Sequence, residues 1–171
     1  MPGVSEVAIF DPEQILKALN DHRVKFVLIG ALAARLQGFP RFTADADITP
    51  ASDKTNLERL ASALRDLDAK VYTEAVPAGL QFDCSATSLS RARMWNLVTR
   101  AGRLDIAFEP AGVEGYDELA RSAERFEAFG VHFLVASLDD IIRSKESTGR
   151  AKDEDDVVIL RAIKRMGPKG R

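Results

Sequence analysis

The sequence predicts a mixed α/β (α+β) fold, in which helices pack on a mixed, partly antiparallel sheet. Three observations support this class. A short apolar run at 24–29, rich in β-branched residues, leads directly into a helical segment. Short strand-like segments then cluster in the middle of the chain, and two amphipathic helices follow near its end. Early alternation of strand and helix, followed by clustered strands, favours helices on a sheet that is not purely parallel.

The predicted elements follow one another along the chain. In the first half they are a helix capped by Asp11, a buried strand at 24–29, a helix at 31–37, a strand at 44–49 ended by Pro50, and a helix capped by Ser52 or Asp53. In the second half they are strands at 71–73, 80–82, 95–99 and 103–108, a helix at 116–122, strands near Phe126 and at 131–135, and helices from Ser137 and from near Asp153. The Ala101-Gly102 pair is predicted to turn a hairpin, and the apolar side of the last helix to comprise Ile159, Leu160, Ile163 and Met166.

The composition is that of one globular domain over residues 1–171, with a flexible tail at about 167–171. Of the 171 residues, 46% are hydrophobic and 29% charged, and the formal net charge is -2. These values exclude a disordered chain and a broadly cationic nucleic-acid binder. One cysteine excludes an intramolecular disulfide, and two histidines disfavour a Cys/His zinc site. Since neither a secretion signal nor an apolar run of roughly 20 residues is present, we expect a cytoplasmic protein with no membrane partner.

Gly30 joins the predicted buried strand to the following helix. A glycine at this junction lets a ligand approach the backbone, and the free N–H groups of a helix start favour an anion such as phosphate. The alternative is a glycine that only makes the turn, and the turn chemistry alone favours that alternative.

Asp45 and Asp47 lie two residues apart on a predicted strand, so both carboxylates project from the same face. Ala44 and Ala46 occupy the other face and are expected to pack inward. Two neighbouring carboxylates repel each other unless a cation lies near them, and Mg²⁺ takes carboxylate oxygens together with substrate phosphates. The alternative for an arbitrary Asp-x-Asp is a solvated strand face.

Asp105 lies between Leu104 and Ile106 on a later predicted strand. If this strand lies beside the one that carries Asp45 and Asp47, the three carboxylates form a cluster that requires metal ions, commonly two for phosphoryl or nucleotidyl transfer. The alternative is an ordinary strand on which Asp105 is solvated or paired with a nearby arginine.

Other motifs do not fit. The glycines are followed by no Walker-A lysine, and there is neither a Gly-x-Gly-x-x-Gly nor a Gly-x-Ser-x-Gly pattern. An EF-hand loop counted from Asp45 would place Pro50 where glycine is needed. A basic group formed by Arg91, Arg93, Arg100 and Arg103, with Trp95 among them, allows an acceptor surface, but a solvated hairpin with Trp95 in the core is the favoured alternative.

The pattern Ile29-Gly30-Ala31, then Gly38, then Arg41-x-Thr43-x-Asp45-x-Asp47 resembles the DNA-polymerase-β-like nucleotidyltransferase superfamily. Asp105 would be the third superfamily carboxylate. The later segment Lys145-x-x-x-Gly149-Arg150-x-Lys152-Asp153-x-x-Asp156 is similar to the ending of small bacterial members. Those include the AbiEii-type nucleotidyltransferase toxins of type IV toxin–antitoxin systems.

The resemblance implies a nucleotidyltransferase fold and a metal-dependent transfer of a nucleoside monophosphate from an NTP to an acceptor. Asp45, Asp47 and Asp105 would be the catalytic residues and the ligands of Mg²⁺ or Mn²⁺, with Asp105 helping to deprotonate the acceptor hydroxyl. The nucleotide would be bound by Gly30, Ala31, Arg41, Thr43, Lys145, Arg150 and Lys152. Ala31 stands where many members have serine, so a phosphate-binding hydroxyl is absent there. Asp153 and Asp156 would cap and brace the last helix by pairing with Arg150 or Arg41.

The resemblance leaves the acceptor open as RNA, protein or a small molecule. A toxin role with an antitoxin protein as partner is one hypothesis that follows from it. The alternative, from another functional class, is a catalytically inactive relative that keeps the fold as a module for binding a nucleotide or a partner protein.

Overall fold

The computed structural model describes residues 8–167, and within them seven strands form one mixed sheet with helices on its faces. The helices are α1 (Pro12–Asp21), α2 (Gly30–Leu36), α3 (Lys54–Asp66), α4 (Ala86–Leu89), α5 (Tyr116–Ser122), α6 (Leu138–Thr148) and α7 (Ala151–Met166). The strands are β1 (Phe26–Ile29), β2 (Asp45–Pro50), β3 (Lys70–Val71), β4 (Met94–Thr99), β5 (Gly102–Ala107), β6 (Glu124–Ala128) and β7 (Val131–Val135). The mixed α/β class predicted from the sequence is confirmed. The predicted tail beyond residue 167 lies outside the described residues.

Strand β2 lies at the centre of the sheet, whose order is β3-β4-β5-β2-β1-β7-β6. It pairs antiparallel with β1 and parallel with β5. Strand β1 in turn pairs parallel with β7, while β4–β5 and β6–β7 are antiparallel hairpins. The two segments predicted to carry the acidic residues are therefore hydrogen-bonded neighbours in the middle of the sheet.

Side-chain caps fix where several helices begin. Asp11 accepts a hydrogen bond from the Gln14 backbone N–H, and Ser137 accepts one from that of Asp140, so both predicted caps are confirmed. Of the two candidates before α3, the cap is Asp53. The short helix α4, which Ser85 caps, has no counterpart in the sequence prediction, because four residues are too few to show a helical period.

Several predicted boundaries differ from the structure. Pro50 belongs to β2 as its last residue, because the strand can end on a residue that donates no hydrogen bond. The segment predicted at 80–82 forms only one bridge, between Leu80 and Val71, and β3 is two residues long. The first residue of β5 is Gly102, so the turn of the β4–β5 hairpin precedes it.

The core lies mainly between the sheet and the helices α1, α2 and α3. Ala46 and Ile48 of β2 point into this core and are almost fully buried, whereas Ala44 is exposed, contrary to the prediction, because it precedes the first paired residue of the strand. Trp95 packs against the core and its ring lies 5.4 Å from that of Phe82, which confirms the core alternative for this residue.

The apolar side of α7 differs from the prediction. Leu160 is buried and Ile159 and Ile163 are partly so, but Met166 is exposed at the end of the helix. Val157 is buried instead, and the same side of the helix also buries two aspartates, Asp153 and Asp156.

Asn56 links α3 to the edge of β1 and to the residue that follows β2. Its Oδ1 accepts a hydrogen bond from the Lys25 N–H at 2.7 Å, and its Nδ2 donates to the carbonyls of Lys25 at 2.9 Å and Ala51 at 2.7 Å. The side chain is buried and is the partner of the Lys25 N–H and the Ala51 carbonyl, whereas the Lys25 carbonyl also accepts a hydrogen bond from the Ala51 N–H at 3.0 Å.

No helix among residues 8–167 has the length and apolar character needed to cross a membrane.

Asn56→Ala should destabilise the protein by about 2 kcal/mol or more, because it leaves the Lys25 N–H and the Ala51 carbonyl without their partner. Urea unfolding measures the effect. Asn20→Ala, at an exposed position of α1, is the matched control and should change the free energy of unfolding by less than about 0.5 kcal/mol. An equal loss in both variants would contradict this account of Asn56.

Candidate active site

The parallel register of β2 and β5 brings the three predicted carboxylates onto one face of the sheet. Asp47 pairs directly with Asp105, and Asp45 pairs with Arg103. Residues two apart on a strand share a face, so Asp45, Asp47, Asp105 and Arg103 all project to the same side. The expectation that the two acidic strands lie side by side is confirmed.

Gly30 lies directly against Asp47. Its backbone has a φ of +69°, and a Cβ placed there would come within 2.4 Å of Asp47 Oδ2. Both facts require glycine, because other residues rarely adopt this φ and a methyl group would displace the carboxylate. The space at Gly30, which the sequence predicted for a phosphate, is therefore occupied in part by the Asp47 carboxylate. Helix α2 begins at Gly30 without a side-chain cap.

The electrostatics of the face are dominated by burial and like charge. Burial, together with the nearby carboxylates of Asp45 and Asp105, raises the pKa of Asp47 to about 7, although the charges of Arg103 and Lys145 oppose the shift. Burial likewise raises the pKa of Asp105, against the opposing charge and hydrogen bond of Arg103. The repulsion predicted for neighbouring carboxylates is therefore present, and the face favours a bound cation.

Arg103 is a member of this face that the sequence analysis placed elsewhere. Its Nη2 donates to Asp105 Oδ1 at 3.2 Å, and its guanidinium carbon lies 3.6 Å from the centre of the Tyr72 ring. Its Nε is buried and has no hydrogen-bond partner among the described residues. The spacing Arg103-x-Asp105 was the available signal, since it puts both side chains on one face.

A cleft of about 450 Å³ opens beside Asp45 and Asp47. Its lining also includes Gly30 and Ala31 on one side and residues of α6, α7 and the turn between them on the other. Arg41, Lys145, Arg150 and Lys152, which are four of the predicted nucleotide-binding residues, all lie in this lining. Asp105, one strand further from α2, is not part of this lining.

Three of these four cations contact two buried aspartates of α7. Lys145 Nζ lies 3.3 Å from Asp153 Oδ1 and 3.1 Å from Asp156 Oδ2. Arg150 Nε donates to Asp153 Oδ2 at 2.7 Å. Arg41 Nη1 lies 2.9 Å from Asp156 Oδ1, an ion pair without hydrogen-bond geometry. The predicted pairing of these aspartates with Arg150 and Arg41 is confirmed. The predicted capping is wrong, because α7 begins two residues before Asp153, its N-cap is Arg150 and no side chain caps it.

These contacts keep Asp153 ionised despite its burial. Burial alone would raise the pKa of Asp153, but hydrogen bonds from Thr148, Arg150 and Lys145 outweigh it and lower the pKa below its usual value. Two anions on one helix thus hold cations from three segments at the rim of the cleft: the loop before β2, helix α6 and the α6–α7 turn.

The remaining predicted site residues have less specific surroundings. Thr43 turns inward to β2, where its hydroxyl donates to the Asp45 carbonyl at 2.8 Å and so shapes the start of the strand. Ala31 and Lys152 are exposed in the cleft lining. Their roles in nucleotide binding stay predictions.

The donor set fits a magnesium or manganese ion in part. Asp45 and Asp47 supply hard carboxylate oxygens on one face, and Mg²⁺ in proteins is commonly held by one or two carboxylates plus substrate phosphates. Among the described residues, however, no group of three or more acidic, histidine or cysteine side chains is arranged to hold an ion together. Asp105, engaged by Arg103, therefore stays a predicted third ligand.

Asp47→Asn should stabilise the metal-free protein at pH 8. An acid whose folded pKa is about 7, against 3.8 when unfolded, loses stability as the pH rises through this interval, and asparagine removes that loss, which is at most about 4 kcal/mol. Urea unfolding in EDTA between pH 4 and pH 8 measures the difference, which should vanish near pH 4. A variant that is equally or less stable than wild type at pH 8 would refute the unfavourable charge.

Asp156→Asn should destabilise the protein by about 2 to 4 kcal/mol, because Lys145 and Arg41 lose a buried partner. Asp155→Asn, at an exposed position of the same helix turn, is the control and should have an effect below about 0.5 kcal/mol. Thermal and urea unfolding of both variants tests the expectation, and similar losses would contradict it.

Comparison with known proteins places this site on a known fold. No family model and no curated protein sequence matches the chain. Among solved structures, TM1012 from Thermotoga maritima, assigned as a nucleotidyltransferase, is 18% identical with a TM-score of 0.54, and the match covers 88% of this chain and 93% of that one. The lincomycin-bound lincosamide antibiotic adenylyltransferase LnuA is 15% identical with a TM-score of 0.58, over 91% of this chain and 99% of that one. The chain therefore has the fold of nucleotidyltransferases.

Proposed function

We propose that the protein is a metal-dependent nucleotidyltransferase, which moves a nucleoside monophosphate from an NTP to an acceptor hydroxyl. One arrangement carries the proposal: Asp47 and Asp105 are paired residues on two parallel strands, and Asp45 lies on the same face. Because Gly30 has no side chain, the Asp47 carboxylate fits against its backbone. The raised pKa of Asp47 shows that this arrangement is electrostatically costly without a cation. A costly cluster on a nucleotidyltransferase fold is more readily explained by chemistry than by stability.

The cleft beside Asp45 and Asp47 is the place for the NTP. Lys145 and Arg150 line it together with Arg41 and Lys152, and a triphosphate is a polyanion that such side chains bind. Asp153 and Asp156 restrict the rotamers of three of these cations, so less side-chain entropy is lost when the phosphates bind. Gly30 and Ala31 present backbone rather than side chains to the same space.

The chemistry follows from these positions. Asp45 and Asp47 would hold Mg²⁺ or Mn²⁺, which neutralises phosphate charge and favours the in-line displacement. The acceptor hydroxyl gives its proton to the Asp105 carboxylate, whose raised pKa suits it to accept one. The oxygen forms a bond to the α-phosphorus while the bond from that phosphorus to the bridging oxygen breaks, and pyrophosphate leaves. Lys145 and Arg150 stabilise the charge on the leaving group.

A second candidate is a module that binds a nucleotide or a partner without catalysis. Three contacts favour it: Arg103 occupies an oxygen of Asp105, and Lys145 is held by both Asp153 and Asp156. Transfer in this structure would require Asp105 to exchange Arg103 for the reacting groups. The two candidates therefore differ in whether pyrophosphate is ever released.

The toxin role and the antitoxin partner stay hypotheses that rest on the sequence resemblance alone. Both structural neighbours share the fold at under 20% identity, and LnuA is an antibiotic adenylyltransferase, so a small-molecule acceptor is an equal alternative to RNA or protein on this ground.

The transfer test incubates the protein with each labelled NTP, Mg²⁺ or Mn²⁺ and total cell extract, and measures pyrophosphate release and label transfer. Wild type should be active only with metal. Asp45→Asn and Asp47→Asn should lose at least about 10²-fold in rate, because the phosphate charge is no longer neutralised. Asp105→Asn should bind the NTP nearly as wild type does but lose roughly 10²–10⁴-fold in transfer.

Asp155→Asn serves as the matched acidic control and should keep wild-type activity. Wild-type protein that binds an NTP but releases no pyrophosphate with any extract would favour the binding module. Protein that neither binds an NTP nor responds to metal in its melting temperature would refute the transferase and the nucleotide-binding module, and would leave only a module that binds a partner protein.

A further inference from the structure

The face that carries Asp105 continues beyond the cleft, across three strands to the edge of the sheet. Asp105 pairs with Asn96 of β4, and the Asn96 carbonyl accepts a hydrogen bond from the Tyr72 N–H at 2.9 Å. One row of side chains across the sheet is therefore Asp47, Asp105, Asn96 and Tyr72. We call the part formed by Asp105, Asn96, Tyr72, Arg103 and Lys70 the outer face.

The second row of the outer face carries its cations. Arg103 pairs with Val98, and Val98 pairs with Lys70, so these three side chains share the side of Asp105. The position of the Arg103 guanidinium over the Tyr72 ring confirms that both project to this side. The face thus changes from carboxylates at β2 to cations and an aromatic ring at β3.

Solvent reaches the outer face. Asn96 is exposed, and so is Met94, whose side chain follows on the same strand face with 60% of its surface accessible. Arg103 and Asp105 keep 29% and 20% of their side-chain surface accessible. On the opposite side of the same strands, Leu97, Leu104 and Ile106 are buried in the core. The helices therefore cover one side of β4 and β5. The other side is open at Met94 and Asn96, partly open at Asp105 and Arg103, and closed at Val98, which is 8% exposed.

The outer face and the cleft meet at Asp47. The cleft lining contains Asp45 and Asp47 but not Asp105, and Asp105 lies one strand further out. A reaction between two substrates at this row requires that they approach from different sides. With the NTP in the cleft, the side left for the acceptor is the outer face.

We propose that the outer face binds the acceptor, and that the acceptor carries a phosphate close to its reacting hydroxyl. The proposal rests on the proposed nucleotidyl transfer and adds to it the class of the second substrate. The hydroxyl lies at Asp105, and the phosphate lies over Arg103 and Lys70. Arg103 makes one hydrogen bond to Asp105, which leaves other guanidinium N–H groups for an anion.

The spacing suits such an acceptor. Arg103 lies two residues from Asp105 along β5, about 6 to 7 Å, and adjacent strands lie about 4.8 Å apart. An anion must therefore follow the hydroxyl within a few bonds, as it does in a nucleotide or a sugar phosphate. A polycationic acceptor would meet Arg103 and Lys70 as like charges. Lys70 Nζ lies 3.8 Å from Asp68 Oδ2, which is beyond hydrogen-bond distance, and Asp68 is largely exposed, so an acceptor phosphate can compete for this ammonium group.

Two sources share this chemistry, a single-stranded RNA end and a free phosphorylated metabolite, and binding assays distinguish them. Fluorescence anisotropy uses a labelled single-stranded RNA oligomer, and calorimetry uses ribose 5-phosphate, each with and without ATP. The variants are Arg103→Gln and Lys70→Gln. The latter touches none of the three carboxylates, so it tests the face without disturbing Asp105. The control is Arg93→Gln, an exposed arginine of the same hairpin paired with Glu109.

We expect wild type to bind at least one of the two probes, with an affinity that falls steeply as the salt concentration rises. Both variants should weaken that binding about 10-fold or more and leave the affinity for ATP unchanged. The control should match wild type. If wild type binds ATP but neither probe, or if Lys70→Gln and Arg103→Gln bind the probes as the control does, the outer face is not the acceptor site and the proposed transfer still stands. If wild type binds neither ATP nor any other NTP, the proposed function fails first. Equal loss in all three variants would indicate non-specific charge attraction and would also overturn the proposal.

Discussion

The parallel pairing of β2 with β5 is the constraint on which the site depends. It sets Asp47 against Asp105 in the middle of the sheet, where burial and like charge both disfavour ionisation. Core packing cannot account for this pairing of acids, since the residues that stabilise these strands, Ile48, Leu104 and Ile106, point to the opposite side. The two faces of one strand pair thus serve different ends: one is apolar and holds the fold together, and the other concentrates charge.

The cationic side of the cleft is built on a similar division. Helix α7 contributes Leu160 and Val157 to the core, and on the same side it buries Asp153 and Asp156 under the cations of the cleft rim. Two buried anions are stable there because Lys145, Arg150 and Arg41 surround them. These ion pairs therefore restrict the side chains of the rim.

Local signals predicted much of this architecture. Caps such as Asp11 and Ser137 marked helix starts because a side chain that accepts an N–H is a local property of the sequence. The spacing of Asp45 and Asp47 predicted their common face for the same reason. The sheet order could not be predicted, since it depends on contacts between distant segments, and so the position of Arg103 beside Asp45 was missed. The apolar spacing of α7 predicted that Met166 faces the core, and this was wrong. Periodicity shows which side of a helix faces inward, but it does not show where the neighbouring elements end.

Gly30 shows how closely two positions of this chain are coupled. Its φ of +69° and the 2.4 Å between a built Cβ and Asp47 Oδ2 leave no room for another residue while the carboxylate stays in place. In a relative of this protein, a smaller side chain at position 47 would release the steric constraint on position 30. The backbone geometry would still favour glycine there, but more weakly. Substitution at position 30 should therefore follow substitution at position 47 during divergence.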